Sequence, residues 1–154
     1  MILVIERRVK MTNVVVSVTG TQQDESREEN RIELVTAGRY YRKQGVDYFT
    51  YSESELTGLE GTTTLLKVYE DAIVLVRMGK VDQRQEFRRG EFTMSTYITP
   101  YGALEMGVGT KAVTIDLAEG IGQIMITYDL EIEGQWQSFN TLAIHIREDN
   151  RNGH

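Results

Sequence analysis

The sequence contains no cysteine, a single proline (Pro100), one tryptophan and two histidines in 154 residues. Without thiols there is no disulfide framework, no thiolate nucleophile and no cysteine-ligated metal. His154 ends the polar stretch EDNRNGH, and His145 lies between Ile144 and Ile146, facing outward if those two face in. A nucleophile–histidine–acid machine therefore lacks its base. Neither Asp24-Glu25 nor Glu28-Glu29 shows the alternating carboxylates and turn glycine of a calcium loop. The sequence leans away from an enzyme, and neither a metal nor a cofactor is expected.

Long apolar runs are also missing. No stretch approaches the roughly 18 residues of a membrane-spanning helix, so no membrane partner is expected. The opening MILVIERRVK is not an export signal: its apolar stretch Ile2 to Ile5 is short, and the arginines follow it. With no cysteine, this suits a cytoplasmic setting. Met11 is an alternative start to Met1. Basic charge is scarce too, with 17 Lys and Arg against 23 Asp and Glu and a net charge of -6. The clusters Arg7-Arg8, Arg39/Arg42/Lys43 and Arg88-Arg89 are short, so no nucleic-acid partner is expected.

What the chain has is alternation. Val14, Val16 and Val18 alternate with Val15, Ser17 and Thr19, and Ile32, Leu34 and Thr36 with Glu33, Val35 and Ala37. A period of two marks half-buried strands. Further strands are read at Val46 to Ser54, Thr63 to Tyr69, Ala72 to Met78, Gln83 to Phe87 and Phe92 to Thr99. Leu104, Met106 and Val108 keep one parity, after which Val113, Ile115 and Leu117 take the other. A parity switch beside Gly107 and Gly109 predicts a β-bulge. Ile124, Ile126, Tyr128, Leu130 and Ile132 form the cleanest amphipathic strand, returning through Glu133-Gly134 to Leu142, Ile144 and Ile146. Only Asp116 to Gly120 offers a helical turn or two.

About nine strands with short links make an all-β antiparallel meander. Closure removes the two open edges of so long a sheet, so a barrel is expected; a two-sheet sandwich is the alternative. The expected organisation is an N-terminal extension (1–12), one barrel domain (13–148) and a polar tail (149–154).

The strings IELVTAGRYY (Ile32 to Tyr41), YSESELTGLEGTTT (Tyr51 to Thr64), LVRMG (Leu75 to Gly79) and YITPYGALEMGVGTK (Tyr97 to Lys111) carry a resemblance. In matching order from about Asn13 to Arg147, the chain resembles the YwiB-like family of small bacterial proteins. The resemblance implies a calycin-like, lipocalin-related barrel of about eight to ten strands. It carries over no activity, ligand or catalytic residue. Calycin barrels often bind small apolar molecules, which is an analogy at the level of fold alone.

Chemistry has few candidates. Glu53/Glu55 and Glu131/Glu133 are carboxylate pairs two apart, a spacing that polar-face alternation produces by itself. Glu53 follows Tyr51 into a glycine-rich loop and is placed at a barrel mouth. Gly107-Val-Gly109-Thr-Lys-Ala112 matches a loose phosphate-loop pattern, but a β-branched stretch follows instead of the helix that the motif needs. Arg77 shares parity with Ile73 and Leu75, although Val74, Val76 and Met78 on the other parity are equally apolar, so its direction stays open. A guanidinium turned inward is costly unless paired, and its fork suits a carboxylate or phosphate. Tyr48, Tyr97, Tyr101, Tyr128 and Trp136 are the aromatics that could line a cavity, Tyr128 being in phase with Ile126 and Leu130.

Two readings follow. One is a binding module holding a small, partly apolar, anionic ligand, with Arg77, Gln85, Tyr97, Tyr128 and Glu53 as contacts. The other is a structural or interaction protein with a filled barrel, homo-oligomeric through outward apolar residues such as Val15, Val35, Val74, Val76 and Met125.

Overall fold

A computed structural model describes residues 9–150, and about three quarters of that span is strand. The strands are β1 (Thr12–Gln23), β2 (Glu29–Lys43), β3 (Val46–Ser52), β4 (Thr62–Val68) and β5 (Ala72–Gly79). They continue as β6 (Gln83–Arg88), β7 (Phe92–Thr99), β8 (Gly102–Ala118), β9 (Ile121–Ile132) and β10 (Gln135–Glu148). All ladders between them are antiparallel.

The ten strands form one sheet in the order β6-β5-β4-β3-β2-β1-β10-β9-β8-β7. Every neighbour is a hairpin partner except β1 and β10, which pair from Val14↔Glu148 to Gln23↔Phe139. The sheet curls until β6 and β7 meet again, giving a nearly closed barrel rather than a sandwich. At this junction the backbone forms one isolated bridge, from Asp82 just ahead of β6 to Ile98 of β7. The barrel is closed by ladders everywhere except along this seam.

Alternation determines what fills it. Val14 and Val16 of β1, Phe49 of β3, Leu66 of β4, Ile124 and Ile126 of β9, and Ile144 and Ile146 of β10 are almost wholly buried. They cluster in the half where β1 begins and β10 ends, called the lower half here. This plug is capped by Tyr40, whose ring stacks on Phe49 at 5.0 Å. The Tyr40 hydroxyl donates to Asp47 at 2.7 Å, and Arg42 meets the same carboxylate oxygen at 2.8 Å. The Tyr40 ring also lies against Gly120, where an added Cβ would fall 2.5 Å from it.

The parity switch in β8 is a bulge. Register with β9 shifts between Thr110 and Ala112, so Lys111 turns outward while Val113, Ile115 and Leu117 pack on the core. A second irregularity between Trp136 and Ser138 in β10 has no counterpart in the sequence reading. The helical turn expected at Asp116 to Gly120 does not form. β8 runs through Ala118, and Glu119 and Gly120, both with positive φ, make a tight hairpin turn. Local propensity there yields to pairing with β9. Half of the polar stretch Gln22 to Arg31 is strand: β1 reaches Gln23, β2 starts at Glu29, and only Asp24 to Glu28 turn. His145 faces solvent. Met1 and most of the N-terminal extension, and His154 with most of the tail, lie outside the described residues. Among those described, no helix is long and apolar enough to cross a membrane.

Candidate functional site

Toward the upper end the inward-facing rows change from aliphatic to polar. Tyr51, Thr64, Arg77 and Gln83 stand directly opposite one another across β3, β4, β5 and β6. On the far wall Thr110, Tyr128, Asn140 and Gln22 form an equivalent row across β8, β9, β10 and β1. Side chains of this kind do not pack into a continuous apolar core, and the barrel is hollow between them.

The main cavity has a volume of about 440 Å³ and is bordered by Arg77, Gln83, Gln85, Tyr97, Tyr128 and Leu130, among others. A side chamber of about 180 Å³ shares Arg77, Leu75 and Leu142 with it and adds Tyr51, Glu53 and Leu34. A third recess of about 170 Å³ lies by Asn140, Gln22 and Asn30. The connection between β3 and β4 folds over this end. It contains a single 3-10 turn, Glu55–Thr57, capped by Ser54 and closed by Gly58 at φ 75°. Thr57 and Leu59 from this segment border both the main cavity and the side chamber.

Arg77 turns inward, which settles the direction that parity left open. Its Nη1 donates to the Gln83 Oε1 at 2.7 Å. Its Nε is buried and has no acceptor. Among the described residues Arg77 forms no ion pair. Two other buried polar atoms lack partners, Thr110 Oγ1 and Asn140 Oδ1, both in the opposite polar row. An unmatched buried group costs about 1–3 kcal/mol, and all three of these lie in the two facing polar rows.

The seam is stitched by side chains. Gln83 donates from Nε2 to Ser95 Oγ at 3.1 Å, and the Ser95 hydroxyl donates to Gln85 Oε1 at 2.7 Å. Gln85 Nε2 in turn reaches Thr93 Oγ1 at 3.0 Å, and the Thr93 hydroxyl donates to the Glu86 carbonyl at 2.6 Å. This chain runs from Arg77 along the gap between β6 and β7, where a backbone ladder would otherwise stand.

Two buried phenols complete the wall. Burial raises the Tyr51 hydroxyl above its ordinary value, the Glu53 charge raises it further, and the Arg77 charge opposes both. Burial also raises Tyr128, against the Asn140 amide and the Arg77 charge. Tyr128 packs on Phe87 with ring centroids 5.0 Å apart and the rings tilted by 58°. Both phenols stay protonated donors at neutral pH. Glu53 accepts from the Thr64 hydroxyl at 2.6 Å.

The structure brings Arg77, Gln85, Tyr97 and Tyr128 together on the main cavity, with Glu53 on the side chamber. Three other aromatics lie elsewhere. Tyr48 stacks on Tyr41 at 4.7 Å, Trp136 donates to Asp129 at 3.1 Å, and Tyr101 is 98% exposed. The outward apolar residues divide too: Val15 and Val74 are buried, whereas Val35 is 63% exposed and Met125 is exposed. Sequence reasoning missed Gln83, Asn140, Gln22 and Ser95. The available signal was phase, since Gln83 and Gln85 alternate with Arg84 and Glu86, and Asn140 is in step with Leu142 and Ile144.

Fold and cavity together define a small antiparallel β-barrel, plugged at one end and hollow at the other. The chain belongs to the family described as Domain of unknown function (DUF1934), whose model matches residues 16–144. It is 32% identical over 133 residues to the "Uncharacterized beta-barrel protein YwiB" of Bacillus subtilis (strain 168), covering 86% of this chain and 92% of that one. The crystal structure of ywiB protein from Bacillus subtilis superposes with a TM-score of 0.73 at 28% identity, over 89% of this chain and 94% of that chain. Family and barrel are those that the sequence strings implied.

Proposed function

We propose that this barrel is a binding module for a small, partly apolar molecule bearing an anionic group, held in the upper cavity with Arg77 as its anchor. The carrying observation is the buried Arg77 Nε–H without an acceptor at the wall of a cavity of about 440 Å³. That volume falls in the range of about 300–1,000 Å³ typical of small-molecule sites. A guanidinium offers paired donors matched to a carboxylate or phosphate. Gln85, Tyr97 and Tyr128 supply further hydrogen bonding, and Leu130 and Leu142 the apolar contacts. Glu53 borders the side chamber. The reading includes a cytoplasmic setting, in keeping with a chain free of cysteine.

Native mass spectrometry of the purified protein, before and after unfolding, tests this. A retained small molecule that is absent from Arg77→Gln supports the reading. A wild-type protein that carries nothing, and takes up no carboxylate or phosphate in titration, removes it.

A second reading rests on the outer face of β7, where Phe92, Met94 and Ile98 are each about half exposed. Such a row suits an interaction module that self-associates. Light scattering that gives a clean monomer at high concentration counts against self-association.

A further inference from the structure

Arg77 and Glu53 both border the side chamber, yet they form no ion pair. Opposite charges in a partly desolvated space attract strongly and close on one another unless each is fastened elsewhere. Here each is fastened. Arg77 is drawn toward the seam by Gln83 through Nη1, and Glu53 is held on the β4 side by the Thr64 hydroxyl through Oε1. What remains free on each is the edge away from its tether. On Arg77 this is the Nε–H with its neighbouring Nη2–H, and on Glu53 it is Oε2, neither making a hydrogen bond among the described residues.

Tyr51 begins the register row that passes through Thr64 to Arg77, two positions before Glu53 on its own segment. Tyr51 is buried and borders the same chamber, with the Glu53 and Arg77 charges acting on its hydroxyl in opposite senses. The chamber is thus a polarised gap with a guanidinium edge on one side and a carboxylate edge on the other. Around the gap Val18, Leu34, Leu75 and Leu142 supply an apolar wall.

Resting on the reading of the barrel as an anion-binding module, we propose that its ligand is a zwitterion of the amino-acid type. Its carboxylate engages the free Arg77 edge, its ammonium engages Glu53, and an apolar side chain lies among the leucines. A simple carboxylate satisfies only the guanidinium and brings a second negative charge near Glu53. A zwitterion satisfies both edges and leaves the site electrically neutral.

The test compares three probes on the full chain by chemical-shift titration and calorimetry: leucine, 4-methylpentanoate (leucine without its ammonium) and 3-methylbutylamine (leucine without its carboxylate). Leucine is expected to bind about tenfold or more tightly than either analogue, since each lost charge-assisted hydrogen bond is worth at least that factor. In Glu53→Gln, a near-isosteric change, the advantage over 4-methylpentanoate should vanish. If 4-methylpentanoate binds wild type as well as leucine, the zwitterion is overturned while the anion-binding reading stands. If no probe shifts the cavity resonances, both fall.

Discussion

Arg77 spends one nitrogen on Gln83, its direct partner across the β5–β6 ladder, and leaves its buried Nε without an acceptor. A guanidinium in that state is a cost to the folded chain, because desolvation is not fully offset by hydrogen bonds. Arg77→Met keeps the length and apolar stem while removing the charge. It is expected to leave stability within about 1 kcal/mol of wild type or to raise it, as replacing buried ionic groups often does. Urea denaturation checks this. A loss well beyond that would make Arg77 a structural keystone instead of a binding group.

The plug and the cavity wall should respond differently to the same truncation. Ile126 is 0% exposed within the aliphatic cluster, whereas Leu130 borders the hollow. Ile126→Ala is expected to cost about 2–5 kcal/mol. Leu130→Ala should cost roughly half as much, because part of its surroundings is already space. Equal midpoint shifts in chemical denaturation would contradict the division into filled and hollow halves.

Ser95 is the link between Gln83 and Gln85 along the seam. Ser95→Ala strands buried amide groups on both, at an expected cost of about 1–3 kcal/mol. Hydrogen exchange should quicken in β6 and β7 ahead of β1 and β10. Uniform quickening would mean that the seam is no weaker than the rest.

Gly120 sits at φ 80° beneath the Tyr40 ring, so both its backbone and its missing side chain are used. Gly120→Ala should destabilise by about 1–3 kcal/mol through left-handed strain, before any displacement of the ring. Thermal denaturation measures it, and an unchanged midpoint would place the cap elsewhere.

Three of the eight tyrosines are held protonated by the fold: Tyr51 and Tyr128 chiefly through burial, and Tyr40, pushed up to about 12, through burial and the Asp47 carboxylate. A raised value means that the folded chain keeps a proton which the unfolded chain releases near pH 10. This stabilisation is complete below pH 10 and is lost as pH rises toward 12 and beyond. A rapid pH jump followed by absorbance at 295 nm should show a late-ionising class that Tyr40, Tyr51 and Tyr128 account for. Tyr40→Phe should flatten part of the fall in stability with alkalinity.

Much of this was legible in two-residue alternation. The β8 bulge was readable because aliphatic parity switches between Val108 and Val113. The inward face of β9 was readable because Ile124, Ile126 and Leu130 agree in phase. Arg77 was not decided by its own strand, since both faces of Ala72–Gly79 are apolar and Val74 is buried on the outer one. Its direction is set by register with Thr64 and Gln83, a relation between strands that a single segment does not carry. Asn140 and Gln22 escaped notice for a related reason. A polar residue in an inward phase reads as a lapse in the pattern until a cavity gives it something to face. The helical turn at Asp116 was local preference overruled by a long ladder.

The division of the barrel has a consequence for how such a protein can change over time. The largest fully buried aliphatic side chains, among them Ile124, Ile126, Ile144 and Ile146, belong to the lower plug beneath the Tyr40 cap. Tyr97 and Asn140 lie outside that plug, whereas Gln85 belongs to the seam that closes the barrel. With a ligand bound as proposed, one scaffold can exchange its guest through a few upper residues, much as a bottle keeps its base when its neck is recut.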